Sequence, residues 1–188
     1  MYKIIGIAGS PRRNGNSTTL MRQVLQVAEE SDAEAQTIYL NSLTFRGCQA
    51  CDGCVDTGEC VLKDELTPYY QKLRESDIWI LASPVYFDGV SGQTKLFFDR
   101  CRPFAMEKGN LKGKRRGAII LTYEDRPRDD YLGIAQRLAN YFPWFGDFGK
   151  VEMFVEGRLG PADAASQRPD LLERARKLGY RLVEELKG

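Results

Sequence analysis

Short apolar runs alternate along the chain with longer stretches in which apolar residues recur every three or four positions. Tyr2–Ala8 is an Ile-rich run that stops at Gly9-Ser10-Pro11 and reads as a buried strand. Asn16-Ser17-Thr18-Thr19 is a helix-start sequence, and Leu20, Val24, Leu25, Val27 and Ala28 follow it at helical spacing. Ala35–Leu40 predicts a second strand, Asp64–Glu75 a helix, Asp77–Ser83 a third strand and Gly92–Arg102 a helix. Arg116–Thr122 predicts a fourth strand, Asp130–Tyr141 a helix and Lys150–Glu156 a fifth strand. Pro169–Leu186 closes the pattern as an amphipathic helix with Leu171, Leu172, Ala175, Leu178, Leu182, Val183 and Leu186 inward.

Strands alternating with helices at this spacing predict βαβ units and a parallel sheet covered on both faces. Five strands predict a three-layer, doubly wound α/β architecture. With no repeat, low-complexity tract or linker, residues 1–188 are expected to form one domain with a cysteine-rich insert at 47–60. In such a sheet every loop that follows a strand leaves from the same rim, where ligands bind. Those loops are Gly9–Asn16, Asn41–Lys63, Pro84–Ser91 and Tyr123–Asp129.

Composition narrows the function classes. There are 27 basic and 26 acidic residues, a balance that argues against a nucleic-acid or membrane partner and against a strongly acidic electron shuttle. The chain has no histidine, which excludes imidazole ligation and His-based triads. The N-terminal apolar run is too short for a signal-peptide core, and no apolar run is long enough for a membrane span. A cytoplasmic, reducing location is the resulting expectation, in which clustered cysteines are more often metal ligands or redox groups than disulfides.

Two rim loops carry recognisable chemistry. In "GSPRRNGNSTTL", Gly9–Leu20, short hydroxyls, an amide and arginines precede a helix, the makings of a phosphate site. The loop has neither the Lys-Ser/Thr of a Walker sequence nor the GxGxxG spacing of a dinucleotide turn, which favours a terminal monophosphate. The plainer reading is a capped turn with solvated arginines. In "ASPVYFDGVSGQTKLFFDR", Ala82–Arg100, a Pro-bent turn offers backbone groups and flat side chains suited to a planar heteroaromatic ring. The plainer reading there is aromatics that belong to the core.

Together, "GSPRRNGNST" and "SPVYFDGVSGQTKLFFDR" resemble the NADPH-dependent FMN reductase branch of the flavodoxin-like fold. The cysteine run C-x2-C-x2-C-x5-C resembles the compact motif of the iron–sulfur flavoproteins within that branch. The resemblance spans Tyr2 to about Arg102, and beyond it only the strand–helix pattern agrees. The charged loop "TYEDRPRDD" lacks the Gly-rich stretch often seen after strand four in relatives. The resemblance implies a five-stranded sheet of order 2-1-3-4-5 and an FMN cofactor. It implies that Ser10, Arg12, Asn16, Ser17 and Thr18 hold the FMN phosphate. Pro84, Val85, Tyr86 and Phe87 would line the ring, with Asp88 and Gly89 at its edge and Thr122 and Tyr123 on its far side. Arg13 and Arg100 read as surface or structural charges. A homodimer or homotetramer is implied by the same resemblance.

Cys48, Cys51, Cys54 and Cys60 lie within thirteen residues. A [4Fe–4S] cluster needs four converging thiolates; two-residue gaps turn three sulfurs inward and Gly58 helps the chain reach the fourth. Zinc fits less well, because four-thiolate zinc sites usually join two separated CxxC knuckles. Thiols without metal remain open, and a disulfide would have to pair members of the group. Cys101, on an apolar helix face, reads as a core thiol. Trp79 reads as packing, Glu124–Asp130 as a solvated loop, and Tyr141–Phe145 with Phe148 as either core or a subunit interface.

The expectation is an FMN-dependent oxidoreductase that passes electrons between a one-electron donor such as ferredoxin, or NAD(P)H, and a small acceptor. The rivals are a cluster-free NAD(P)H-dependent FMN, quinone or metal-ion reductase, a non-catalytic flavin electron carrier, and a nucleotide-binding regulator without flavin.

Overall fold

The computed structural model describes residues 1–31, 33–124 and 131–187, without the side chains of residues 28 and 187. The chain runs β1 (Lys3–Ala8), α1 (Asn16–Glu30), β2 (Glu34–Tyr39), α2 (Gly53–Thr57), α3 (Tyr69–Glu75), β3 (Ile78–Tyr86), β4 (Gly89–Val90) and α4 (Gly92–Arg100). It continues through β5 (Leu111–Lys114), β6 (Arg116–Thr122), α5 (Leu132–Ala139), α6 (Phe142–Phe145), β7 (Gly146–Asp147), β8 (Glu152–Glu156) and α7 (Pro169–Lys187).

The main sheet is parallel in the order β2-β1-β3-β6-β8, which is the expected 2-1-3-4-5. Two features go beyond the expectation. The two-residue β4 turns back antiparallel on the end of β3, and β5 and β7 form a small parallel pair of their own. The helix expected over Asp64–Glu75 starts only at Tyr69, because Pro68 sits at its N-cap and the Asp64 side chain accepts from Leu66 N and Arg46 N instead. The start of the helix expected at Asp130 lies outside the described residues; its body is Leu132–Ala139.

The apolar strands split by alternation between two cores, one on each face. Ile5, Ile7, Trp79, Leu81, Ile119 and Leu121 meet Phe97, Phe104, Leu138, Phe142, Phe145 and Phe148. Ile4, Ile78, Ile80 and Ile120 meet Leu20, Met21 and Val24 of α1 and Leu171, Leu178 and Leu182 of α7. Trp79 is packing, as expected: its Nε1 donates to Leu73 O and its ring meets Phe104 and Phe148 edge-on at 5.3 Å. Cys101 is buried with its thiol donating to Phe97 O.

α1 leaves the rim toward one face and α4 toward the other, so β1 and β3 flank the switch point of the sheet. There the two loops touch. Gly9 N donates to Ala82 O at 2.7 Å, and Ser91 Oγ donates to Gly9 O at 2.6 Å. Thr94 Oγ1 lies 2.8 Å from Ser91 Oγ and 3.2 Å from Ser83 Oγ, all three side chains being buried. Only glycine fits at position 9, since a Cβ would stand 1.7 Å from Thr94 Oγ1. Gly9→Ala is therefore expected to destabilise the fold by about 1–3 kcal/mol, part of which Thr94→Ala in the same chain should restore. Urea denaturation of the two variants measures both; an unchanged midpoint for Gly9→Ala would mean the loops part without cost.

Candidate functional site

Two separate regions hold the residues singled out by the sequence, one at the rim and one against the far end of α4. The first is an open cleft of about 220 Å³ at the switch point. Its walls are Ser10, Arg12, Asn16 and Ser17 on the α1 side, Pro84, Val85 and Tyr86 on the β3 side, and Thr122 and Tyr123 at the end of β6. Nine of the thirteen residues expected around the cofactor thus share one cleft. Thr18 is wholly buried and is not part of the cleft wall. Phe87, Asp88 and Gly89 form the turn beyond it, with Phe87 fully exposed.

The α1 end of the cleft is suited to an anion. The first N–H groups of a helix lack intrahelical acceptors, and α1 has no acidic residue in its first turn to neutralise them. Arg12 N donates to Ser10 Oγ at 3.1 Å, which bends the loop around the helix start. Ser17 Oγ and Thr18 Oγ1 are buried and have no hydrogen-bond partner among the described residues. Buried hydroxyls without partners are rare, and each needs an explanation.

Asn16 lines the cleft with its side chain already engaged. Its Nδ2 donates to Leu159 O and Pro161 O at 2.9 and 2.8 Å, and its Oδ1 accepts from Ala165 N at 2.8 Å. It ties the loop after β8 to the start of α1. That loop supplies Leu159, Gly160 and Ala162 to the cleft, none of which stands out in the sequence, and the β6 end adds Glu124, which reads there as part of a solvated loop. One signal does point to them, because the loop after the fifth strand leaves from the same rim as the other four.

The second region is a small pocket, about 20 Å³, lined by Cys48, Cys51, Cys54 and Cys60 together with Arg100 and Arg102. All four are free thiols. Among the described residues, no three His, Cys, Asp or Glu side chains form a metal-ligand group. The loop coils through left-handed residues at Ala50, Asp52 and Gly58, with φ of 50°, 56° and 71°. Gly58 has the positive φ that its place in the loop calls for, whereas Gly47 and Gly53 do not. Burial pushes the Cys54 thiol up, and the nearby Arg102 guanidinium opposes that shift. Arg102 is ion-paired with Asp52, so it sits beside the thiols and pins the turn between Cys51 and Cys54.

Arg100 closes the neck of this loop and is a structural charge, buried rather than on the surface. Its Nη1 donates to Asp64 Oδ2 at 2.6 Å and to Arg46 O at 2.7 Å, and its Nε donates to Tyr70 Oη at 3.2 Å. Burial works against both charges, yet the pairing holds the Arg100 guanidinium above and the Asp64 carboxyl below their ordinary ranges. Residues 46 and 64 are thereby clasped across the whole cysteine segment. The aromatic segment divides: Phe142, Phe145 and Phe148 are core, while Tyr141 and Trp144 are exposed beside Cys48 on a groove that also includes Phe98 and Met106. Residues 125–130 of the charged loop lie outside the described residues.

The family model for NADPH-dependent FMN reductase matches residues 2–126. An iron–sulfur flavoprotein of Methanocaldococcus jannaschii is 33% identical over 98% of this chain and 97% of its own length. The chain belongs to the iron–sulfur flavoprotein branch of the NADPH-dependent FMN reductase family. It is accordingly an FMN-dependent oxidoreductase. A second iron–sulfur flavoprotein, from Archaeoglobus fulgidus, is 30% identical over 97% of this chain and 79% of its own length. The fold is shared with an FMN-dependent NADH-azoreductase from Bacillus anthracis solved with FMN, at a TM-score of 0.70 and 14% identity, covering 97% of this chain and 99% of that one.

Within this family member, Arg100→Gln is expected to cost about 3–5 kcal/mol, because it leaves the Asp64 carboxylate without its buried partner. A urea titration checks this, and an undiminished midpoint would show that the neck of the cysteine loop is held by something else.

Proposed function

We propose that FMN binds with its phosphate at the start of α1 and its ring between the loops after β3 and β6, and that Cys48, Cys51, Cys54 and Cys60 hold a [4Fe–4S] cluster. The observation that carries the flavin placement is the Ser17 hydroxyl, which lines the cleft and has no partner among the described residues, together with the free N–H groups of a helix start without acidic side chains. A phosphate supplies the acceptors those groups lack, and Arg12 and Ser10 would complete its surroundings. Asn16 would act on the same site by holding the loop after β8 against it. Pro84, Val85, Tyr86, Thr122 and Tyr123 would line the ring, with Phe87, Asp88 and Gly89 at its edge.

Four thiols around one pocket are the donor set of a cubane cluster, and Arg102 beside them would offset the negative charge of bound thiolates. The two groups supply complementary chemistry when bound, flavin exchanging one or two electrons and the cluster one. The chain's own work would be to bind the phosphate, orient the ring and clasp the cysteine loop at Arg100. The electron donor would be a ferredoxin-like protein or NAD(P)H, and the acceptor a small molecule. Free thiols fit a reducing, cytoplasmic setting. Exposed Tyr141 and Trp144 fit an interface between copies in a homodimer or homotetramer.

A second reading, a cluster-free NAD(P)H-dependent FMN reductase, is favoured by the absence of a three-residue metal-ligand group among the described residues. Anaerobic purification separates the two. Flavin with about four irons and four sulfides per chain is expected; flavin without iron or sulfide would favour the second reading, and a colourless protein would refute both.

The phosphate placement makes a prediction of two opposite signs. Ser17→Ala removes a buried hydroxyl that has no partner in the apoprotein, so the apoprotein should be as stable as before or more stable by up to about 1 kcal/mol. The same change should weaken FMN binding by about tenfold. Chemical denaturation of apoprotein and a fluorescence titration with FMN measure the two; equal affinity would place the phosphate elsewhere.

A further inference from the structure

We infer that Tyr131 is a positioning residue for the flavin ring, holding the hairpin after β3 at a fixed distance from the opposite wall of the cleft. The inference rests on the FMN placement proposed above and concerns a residue outside the cleft wall.

β3 continues past the rim to Tyr86, reverses through Phe87 and Asp88, and returns as β4, pairing Val85 with Val90 and Tyr86 with Gly89. Both turn residues have positive φ, 47° and 57°. A two-residue turn of this kind matches the twist of its strands but favours Asn and Gly, and a bulky side chain is strained in that conformation. Phe87 gains nothing by burial, since it is fully exposed. Neither local preference nor packing of the tip therefore accounts for the shape of this hairpin, whose base supplies Val85 and Tyr86 to the cleft.

A side-chain tie does account for it. Tyr131 Oη donates to Asp88 Oδ1 at 2.6 Å. Tyr131 precedes α5, on the connection that follows β6, and its ring meets that of Tyr123 edge-on with centroids 4.6 Å apart. Tyr123 lines the cleft and is anchored through its backbone, its N–H donating to Glu156 O and its carbonyl accepting from Leu159 N. Hairpin, Tyr131, Tyr123 and the loop after β8 thus make one connected frame around three sides of the cleft. A planar ring held between Pro84–Tyr86 and Thr122–Tyr123 depends on the spacing of those walls, and the phenol–carboxylate bond sets it.

The test uses the full chain as Tyr131→Phe, Asp88→Asn, Asp88→Ala and the double variant Tyr131→Phe/Asp88→Ala. FMN affinity is read by titration, the setting of the bound ring by visible circular dichroism, and global stability by urea denaturation. Tyr131→Phe keeps the ring contact with Tyr123 and loses the bond to Asp88. It is expected to weaken FMN binding by about tenfold and diminish the flavin dichroism without moving the urea midpoint. Asp88→Asn retains an acceptor oxygen for Tyr131 Oη and should weaken FMN binding less than Asp88→Ala does. The double variant should be no weaker than the weaker single variant, because both remove the same bond. Unchanged affinity and dichroism in Tyr131→Phe would overturn the inference, as would additive losses in the double variant or a midpoint that falls with affinity. Failure of the unaltered chain to bind FMN would overturn the placement on which the inference rests, and the inference with it.

Discussion

The cofactor cleft hangs on the place where β1 and β3 end side by side. Gly9 is bonded to Ala82 through its N–H and to Ser91 through its carbonyl, and the buried hydroxyls of Ser83, Ser91 and Thr94 close the remaining gaps. Polar groups in a dry interior have few ways to be satisfied together, so this arrangement holds two loops in one register. From that junction α1 and α4 diverge to opposite faces of the sheet. The crevice between them is a consequence of topology, and the residues around it then decide what it can bind.

The second region is built on a different principle. The cysteine loop contains only one short helix, α2, and would not hold a shape by propensity. Its shape comes from ties to elements outside it: Arg100 clasps its neck at Arg46 and Asp64, and Arg102 pins Asp52. Both arginines belong to α4 or the turn that follows it, and α4 itself begins at the hydroxyl junction. α4 therefore runs from the junction beneath the cleft to the thiol pocket.

Much of this is legible in the amino-acid sequence. The Gly9–Leu20 loop stands out because short hydroxyls ahead of a helix are read locally, and the four cysteines announce themselves by spacing. Asn16 is less legible: as an amide among hydroxyls it reads as a phosphate ligand, while in the folded chain both ends of that amide hold a loop more than 140 residues away. Leu159, Gly160 and Ala162 carry no chemical mark and enter the cleft only because β8 ends at the same rim. Arg100 reads as an incidental charge for a related reason, since its partners Asp64 and Arg46 are distant in sequence.

The sequence by itself determined the main element types, the parallel sheet and the two rim loops whose residues stand out. Each of these follows from periodicity and local residue type, which do not depend on distant partners. Tertiary structure alone decided which polar side chains face the cleft and which brace it, that β4 folds back on β3, and that the cysteine neck is closed by a buried ion pair. Those outcomes depend on which remote groups satisfy a buried donor or charge, and that is settled only when the sheet brings the loops to one rim.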